Sequence, residues 1–523
     1  VSVGKDGVIR IPFLAEAENC FFHLDGGPQK IGGTARINST ELNSGAKIRG
    51  LVDFFVLATG AHHRVVHAGN DLMADAADGT FASIDPGTRN TSAVVSYAVF
   101  DDELIIMSDK ATEVPLKWTG TGDASALGTN TPDCAFGVTH KNRFFMAGSA
   151  VGSRLYYSEP LPAGAGGDWD AVEAGFIDID PDDGDEIRGV ISHKEKLWIF
   201  KGPNIGSIHV LSGDTPLGGV TAFASSTQPE PYSLQIFVRG LGAAGQNSIF
   251  RFRDDIGFID AKTASIRSLN ATAQFGDFRE VALSFPINDW LLENVNPAQL
   301  KKAWAVSDVA NGRVLVTLAT GSSTTNKVVI SMDHRFETPR WSKWPAIEAE
   351  CMALVIDSDN SNRQSVFIGD TDGFVRRTNT ANRKIDNGSD GEIAINYKVK
   401  LPYIDYGNPI AMKTLARASV GIRPRGNYTG TFSWSRDRGT TQSVNFDQSG
   451  GDVLGGTGST PHVFTLGASQ LGGGDFIDRF FSLEEGGEFR SIQYMVTQTG
   501  IDEDLDLHSF FTEVELGADS MET

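Results

Sequence analysis

Short apolar runs alternate with polar turns along most of the chain. In "VVSYAVFDDELIIMS", "AFGVTHKNRFFMAG" and "RGVISHKEKLWIFKG" an apolar run meets a polar turn, and a second run carrying aromatic or Leu/Ile residues follows. The β-branched and aromatic content and the central turns predict antiparallel hairpins. Such sets recur from Gly50 onward, opening with "GLVDFFVLATG" and ending with "ECMALVIDSDNSNRQSVFIGDTDGFVRRTN". A fifth set joins "SLQIFVRGLG" to "NSIFRFRDDIGFIDA", and a sixth runs through "NKVVISMDHRFETPRWSKW". The sets start roughly every 40 residues, the spacing of β-propeller blades of three or four strands. A lone blade leaves apolar faces and strand edges uncovered, so blades stack about an axis until the ring shuts.

Two regions depart from this grammar. "INDWLLENVNPAQLKKAWA" (Ile287 to Ala305) has helix-forming residues interrupted by "NVNP", which predicts one or two short helices. After about Asp390, longer alternating runs such as "TLARASVGI" and "SIQYMVTQTG" suit a β-sandwich, and "TNTANRKIDNGSDG" reads as the linker before them. The expected fold is therefore all-β. Residues 1–47 form an N-terminal segment packing on or closing the propeller. Residues 48–385 form a propeller of about six to seven blades, some irregular, with the helical insertion near 287–305. Residues 390–523 form a C-terminal β-sandwich-like domain with an acidic end, where the stretch from Gly500 holds eight acids and no Lys or Arg.

Composition sharpens this picture in three ways. The 523 residues exceed what one ordinary core holds, and 58 glycines between apolar runs match a turn-rich chain. A net charge of −21 argues against a protein that grips phosphate, which needs Lys and Arg to displace counterions. Cys20, Cys134 and Cys351 lie far apart with no metal-ligand spacing, so buried free thiols and a reducing cytosol are expected. The first twenty residues lack the apolar core of a signal peptide, and no run approaches the ~20 apolar residues that span a bilayer.

Candidate chemistry is sparse. "GLGAAG" (Gly240 to Gly245) matches Gly-x-Gly-x-x-Gly with Asp260 twenty positions on, but a strand-like run follows where a dinucleotide fold needs a helix. His63 and His67 in "HHRVVH" have the spacing of a helical metal pair, yet β-branched neighbours place them on a strand. "SRDRGTTQ" (Ser435 to Gln442) is similar to the Asp-box of sialidases, a mainly structural loop. Trp169, Trp341 and Trp344 are expected to pack blades. "DIDPDDGDE" concentrates Asp178, Asp180, Asp182, Asp183, Asp185 and Glu186 in nine residues. It departs from the EF-hand frame, with Asp183 at the sixth position and Gly189 at the twelfth. No catalytic residue, cofactor or metal is assigned.

Segment order carries a resemblance. "RFFMAGSAVGSRLYYSEPLPAGAGGDWDAVEAGFIDI" and then "DGDEIRGVISHKEKLWIFKGPNIGSIHVLSG" resemble two successive blades of the tail-hub proteins of short-tailed bacteriophages. "SVFIGDTDGFVRRTNTANRKIDNGSDGEIAINYKVKLPYIDYG" looks like their closing blade and crossover, and "FHLDGGPQKIGG" is similar to their N-terminal segment without its Arg-Pro-Gly. The resemblance implies a tail hub or nozzle related to packaged-DNA stabilisation proteins, a virion protein assembled in the host cytoplasm. Six copies would form a ring around the DNA exit channel, with an adaptor and tail fibres or spikes as partners and duplex DNA passing without sequence-specific binding. On that expectation the acidic block supplies channel- or rim-facing acids. The alternative is a propeller glycosidase or carbohydrate-binding protein acting on surface polysaccharide.

Overall fold

The computed structural model describes residues 2–3, 9–10, 14–24, 27–76, 78–85, 89–109, 113–128, 130–160, 169, 174–214, 232–275, 282–357, 363–387, 391–448, 476–482 and 487–516. The chain divides into two units. One comprises residues 36–329 and 348–377, the other residues 1–35, 330–347 and 378–523.

The first unit is a seven-bladed propeller. Blade one runs outward through Ile48–Val56, Ala61–Ala68, Asp71–Asp75 and Ala82–Asp85. Blades two, three and four repeat the four-stranded order from Val95–Phe100, Phe136–His140 and Glu186–His193. Blade five has three strands, Ile249–Phe252, Asp255–Ile259 and Ile266–Ser268, followed by the helix Leu269–Phe275. Blades six and seven begin with Trp304–Asp308 and Cys351–Asp357. The ring shuts where blade seven meets blade one: Ile356 N–H donates to the Asp53 carboxylate at 3.0 Å, and Cys351 Sγ lies 3.4 Å from the Ile48 carbonyl.

Closure follows from where the apolar side chains point. Phe54 and Val65 of blade one share a core with Val95 and Leu104 of blade two. Phe145 and Leu155 of blade three do the same with Val190 and Leu197 of blade four, and Phe200 with Phe258 between blades four and five. Each face thus finds its partner on the next blade, and each fully buried Phe contributes about 1.5–3 kcal/mol. The polar turns act between blades too. Asp101 with Asp102, and Lys194 with Glu195, take the positive φ pairs of tight hairpins. The Asp102 carboxylate then accepts the N–H groups of Leu57 and Ala58 at 2.7 and 2.9 Å, and Lys194 Nζ reaches the Asp254 carbonyl at 3.1 Å.

The second unit is a β-sandwich. One layer has the order Arg340–Trp344, Glu16–Glu18, Tyr397–Lys400, Ile492–Gln498, Thr429–Arg436, Thr441–Asp447. The other has Ile477–Ser482, Lys413–Arg423, Asp506–Leu516, Pro28–Lys30, Cys20–Phe22. Phe432, Tyr494 and Val496 from the first layer pack against Val420, Ile422 and Leu507 from the second.

Several boundaries differ from the sequence expectation. Residues 1–47 were expected to pack on or close the propeller; the strands at 16–30 lie in the sandwich instead, while Gly33–Arg36 pairs with Val375–Thr380 in the sheet of blade seven and residues 36–47 belong to the propeller unit. Residues 330–347, with Trp341 and Trp344, are grouped with the sandwich, although their strand Arg340–Trp344 is the fourth of the sheet that blade six opens with Trp304–Asp308 and neighbours Glu16–Glu18 on its other edge. Trp344 Nε1 donates to the Cys20 carbonyl at 3.0 Å within that unit. Ser233–Arg239 closes blade four rather than opening blade five, because it pairs with Ser207–Ser212. The insertion near 287–305 holds the helix Asn288–Asn294 and a 3-10 turn over Pro297–Lys302, started by Asn296 accepting from Ala298 N–H.

Candidate functional site

The acidic block forms the connection from the outermost strand of blade three (Gly175–Asp178) to the innermost strand of blade four. It therefore lies on the face of the propeller where innermost strands begin. Five of its six acids are tied to partners within the chain. Asp178 pairs with Arg154 at 2.8 Å, which holds its carboxyl below the usual range. Asp180 meets Arg239 at 3.1 Å, and Glu186 meets Arg188 at 2.6 Å. Asp183 meets Lys201 at 2.7 Å. Asp185 is 6% exposed and accepts three consecutive backbone N–H groups, from Asn204 at 2.6 Å, Ile205 at 2.9 Å and Gly206 at 2.7 Å. Asp182 is exposed and has no partner among the described residues.

This geometry makes the block a clamp. Lys201 carries no exposed side-chain surface, and its ammonium is also bonded to the carbonyls of Ile179 and Asp180 at 2.7 and 2.8 Å. A buried ammonium tolerates the loss of water only with such a full set of acceptors. The turn 179–183 supplies them, and the turn 204–206 cradles Asp185 as a nest of N–H groups holds an anion. The six acids thus do not form one bare anionic surface, which the spacing alone had suggested. No signal in the sequence identified Lys201, because a lysine in a strand reads as solvent-facing until its neighbours are known.

The other motifs resolve into structural roles. "GLGAAG" is a loop leading into a 3-10 turn at Gln246–Ser248, with no helix after it. A Cβ on Gly242 would lie 1.7 Å from the Lys201 carbonyl, so that glycine permits a close backbone approach. Asp260 accepts Gly242 N–H at 3.3 Å and Thr263 Oγ1 at 2.7 Å. His63 and His67 stand on the strand Ala61–Ala68, and no group of three or more His, Cys, Asp or Glu suited to a metal occurs among the described residues. Asp437 of the Asp-box-like hairpin receives N–H bonds from Arg490 and Ser491 at 3.0 and 2.8 Å. Trp169 packs beside Phe100 and Phe144 between blades two and three. The three cysteines are free and buried, and burial pushes their thiols up.

The mouth of the propeller axis is crossed by protein. Asn247 Nδ2 of the turn before blade five donates to the Val95 carbonyl of blade two at 2.8 Å, and Gln246 bonds Val190 of blade four at 2.8 Å. Lys301, just before blade six, pairs with Asp109 of blade two at 3.0 Å. Around this closure stand Lys47 and Arg49 of blade one, Lys302, and Glu350 at the start of blade seven. Burial raises the Glu350 carboxyl, against the pull of Asn326 N–H (2.8 Å), Lys47, Arg49 and Lys302.

No protein-family model matches the chain, and no curated protein matches it. Among solved structures it is similar to BamB from Moraxella catarrhalis, with 11% identity, a TM-score of 0.36, and coverage of 71% of this chain and 97% of that one. Virginiamycin B lyase from Staphylococcus aureus matches with 10% identity, a TM-score of 0.41, and coverage of 67% and 99%. An exo-β-1,3-galactanase from Phanerochaete chrysosporium matches with 10% identity, a TM-score of 0.27, and coverage of 93% and 100%. Similarity at this level says nothing of activity.

Proposed function

We propose that the protein is a structural component of the tail of a short-tailed bacteriophage. It acts as a hub or nozzle subunit whose copies, six in the family it resembles, surround the channel through which the genome leaves. The path of the chain carries this reading. The polypeptide passes between propeller and sandwich at 35–36, 329–330, 347–348 and 377–378. A force that pulls on one unit is shared by four covalent connections, which suits a part that holds pressurised DNA.

Two further observations support it. The crossed mouth leaves the propeller axis unsuitable as a DNA conduit, which fits a reading in which the duplex runs between subunits of a ring. A chain of net charge −21 offers polyphosphate little net attraction, which favours passage over binding. The block at 178–186 contributes to that charge through exposed Asp182 and through buried Asp185, which only neutral N–H groups hold, the other four acids being paired with cations. The adaptor and the fibres or spikes would dock on outward surfaces of the ring.

Electron microscopy of the purified protein and of virions tests the reading. Rings of rotational symmetry, found also at the tail in virions, are expected. A monomer that releases sugars from a panel of surface polysaccharides would replace this reading with the glycosidase one.

A further inference from the structure

We propose that the mouth of the propeller, where the innermost strands begin, binds a small free oxyanion of the size of phosphate, held by Arg49 with Lys47 and Lys302 around it and His67 and Tyr97 behind. The inference does not depend on the tail reading. It starts from a bulge. The pairing of Ile48–Val56 with Ala61–Ala68 slips between Ile48 and Gly50, so Arg49 is the extra residue opposite Ala68 and His67. A bulge re-aims a side chain, and Arg49 here stands within electrostatic reach of Glu350 and Lys302.

Among the described residues Arg49 forms no ion pair, and its Nε is shielded from solvent with no hydrogen-bond partner. Two more potential donors beside it are also unused. His67 is 1% exposed, with both ring nitrogens unpartnered. Tyr97 has a buried, unpartnered hydroxyl close against Gly50, 2.5 Å from where a Cβ on that glycine would lie. All three adjoin Gly50, which Arg49 precedes, His67 faces across the ladder and the Tyr97 hydroxyl approaches, and since a buried donor left without an acceptor costs about 1–3 kcal/mol, a shared acceptor there would relieve them together.

Charge decides between water and an anion. Water would satisfy donors but leave the cations unbalanced. Glu350 is the carboxylate facing Lys47, Arg49 and Lys302, and burial disfavours its charged form. Lys302 is held below its ordinary range by burial, with Arg49, Lys301 and Lys47 adding to that and Glu350 opposing it. Lys301 is already paired with Asp109. Burial, Arg49 and Arg89 together hold His67 down at about 4, with Asp85 opposing, so the imidazole is neutral at pH 7 and has one N–H to donate. An oxyanion accepts from the guanidinium, the imidazole and the phenol at once and offsets the surplus positive charge. The turn at Gln246–Ser248 and the Lys301–Asp109 pair close the way inward, which limits the ligand to a small one.

The test uses the full chain in chloride buffer at fixed ionic strength, titrated with inorganic phosphate, sulfate, acetate and a short single-stranded oligonucleotide, and read by calorimetry and melting temperature. Saturable binding of phosphate and sulfate is expected. It should weaken about tenfold or more in Arg49→Ala, recover in part in Arg49→Lys, and persist in Arg363→Ala, whose arginine is exposed on blade seven. Should Arg49→Ala fail to fold, the His67 imidazole resonances of the unaltered protein give a second readout and should move on phosphate addition. Absence of saturable binding, equal binding by the folded Arg49→Ala variant, or unmoved His67 resonances at saturating phosphate would overturn the proposal. Binding of the oligonucleotide without binding of free phosphate would overturn it as well.

Discussion

Asp185 offers the sharpest test of the acidic block as a clamp. Its two oxygens accept three N–H groups, Oδ1 from Asn204 at 2.6 Å and Oδ2 from Ile205 and Gly206 at 2.9 and 2.7 Å, and the residue is 6% exposed. Hydrogen bonds to a charged acceptor contribute roughly 1.5–3 kcal/mol each. Asp185→Ala removes all three, but water entering the vacated space will recover some, so about 3–5 kcal/mol is expected rather than the full total. Asp185→Asn can keep its carbonyl oxygen at the Oδ2 position and so retain two bonds, with an expected cost of about 1–2 kcal/mol. Hydrogen–deuterium exchange over residues 186–212 reads this locally, without assuming that propeller and sandwich unfold together. The alanine variant should exchange roughly a hundred- to several-thousand-fold faster, at about 1.4 kcal/mol per factor of ten. Exposed Asp182→Ala should stay within about 0.5 kcal/mol of wild type. A tolerant Asp185→Ala, or an Asp182→Ala that is equally damaging, would refute the clamp.

Other expectations follow from the same geometry. Lys201→Met leaves Asp183 and two carbonyls without their ammonium and should cost about 3–5 kcal/mol. Adding Asp183→Asn should cost less than the separate effects predict, and a double-mutant cycle in urea measures that coupling. Gly242→Ala forces a Cβ onto the Lys201 carbonyl and should destabilise by about 3 kcal/mol or more, whereas Gly184→Ala, at φ 75° in open space, should cost about 1–2 kcal/mol; thermal melts compare the two. His67 and His140 are both held down at about 4, chiefly by burial, while the unfolded chain takes up their protons near pH 6.5. Their contribution is thus complete above pH 6.5 and is lost as the pH falls toward 4, because the unfolded state binds more protons in that window. Melting temperatures from pH 4 to 8 should drop on the acid side, and His67→Gln should flatten the slope; an unchanged slope would argue against a neutral buried imidazole.

The hairpin grammar was legible in the chain because it is local. "FDDE" and "HKEK" set their own tight turns, and period-two apolar runs set strands that must be covered on both faces, which together demand a closed stack of blades. What belongs to which unit was not legible, since the strand Arg340–Trp344 and the strands at 16–30 look like any other strand until a partner edge claims them. Edge pairing is a competition among distant segments, and its outcome depends on core shape rather than on the local pattern. The same limit applied to charge. Composition supplied six acids in nine residues, but only the fold could set Arg154, Lys201, Arg239 and three backbone N–H groups against them, or leave the Arg49 Nε and the His67 ring shielded without partners. Sequence determines how many charges a chain carries; their neutralisation varies with distance and desolvation, and both come into being only when the ring closes.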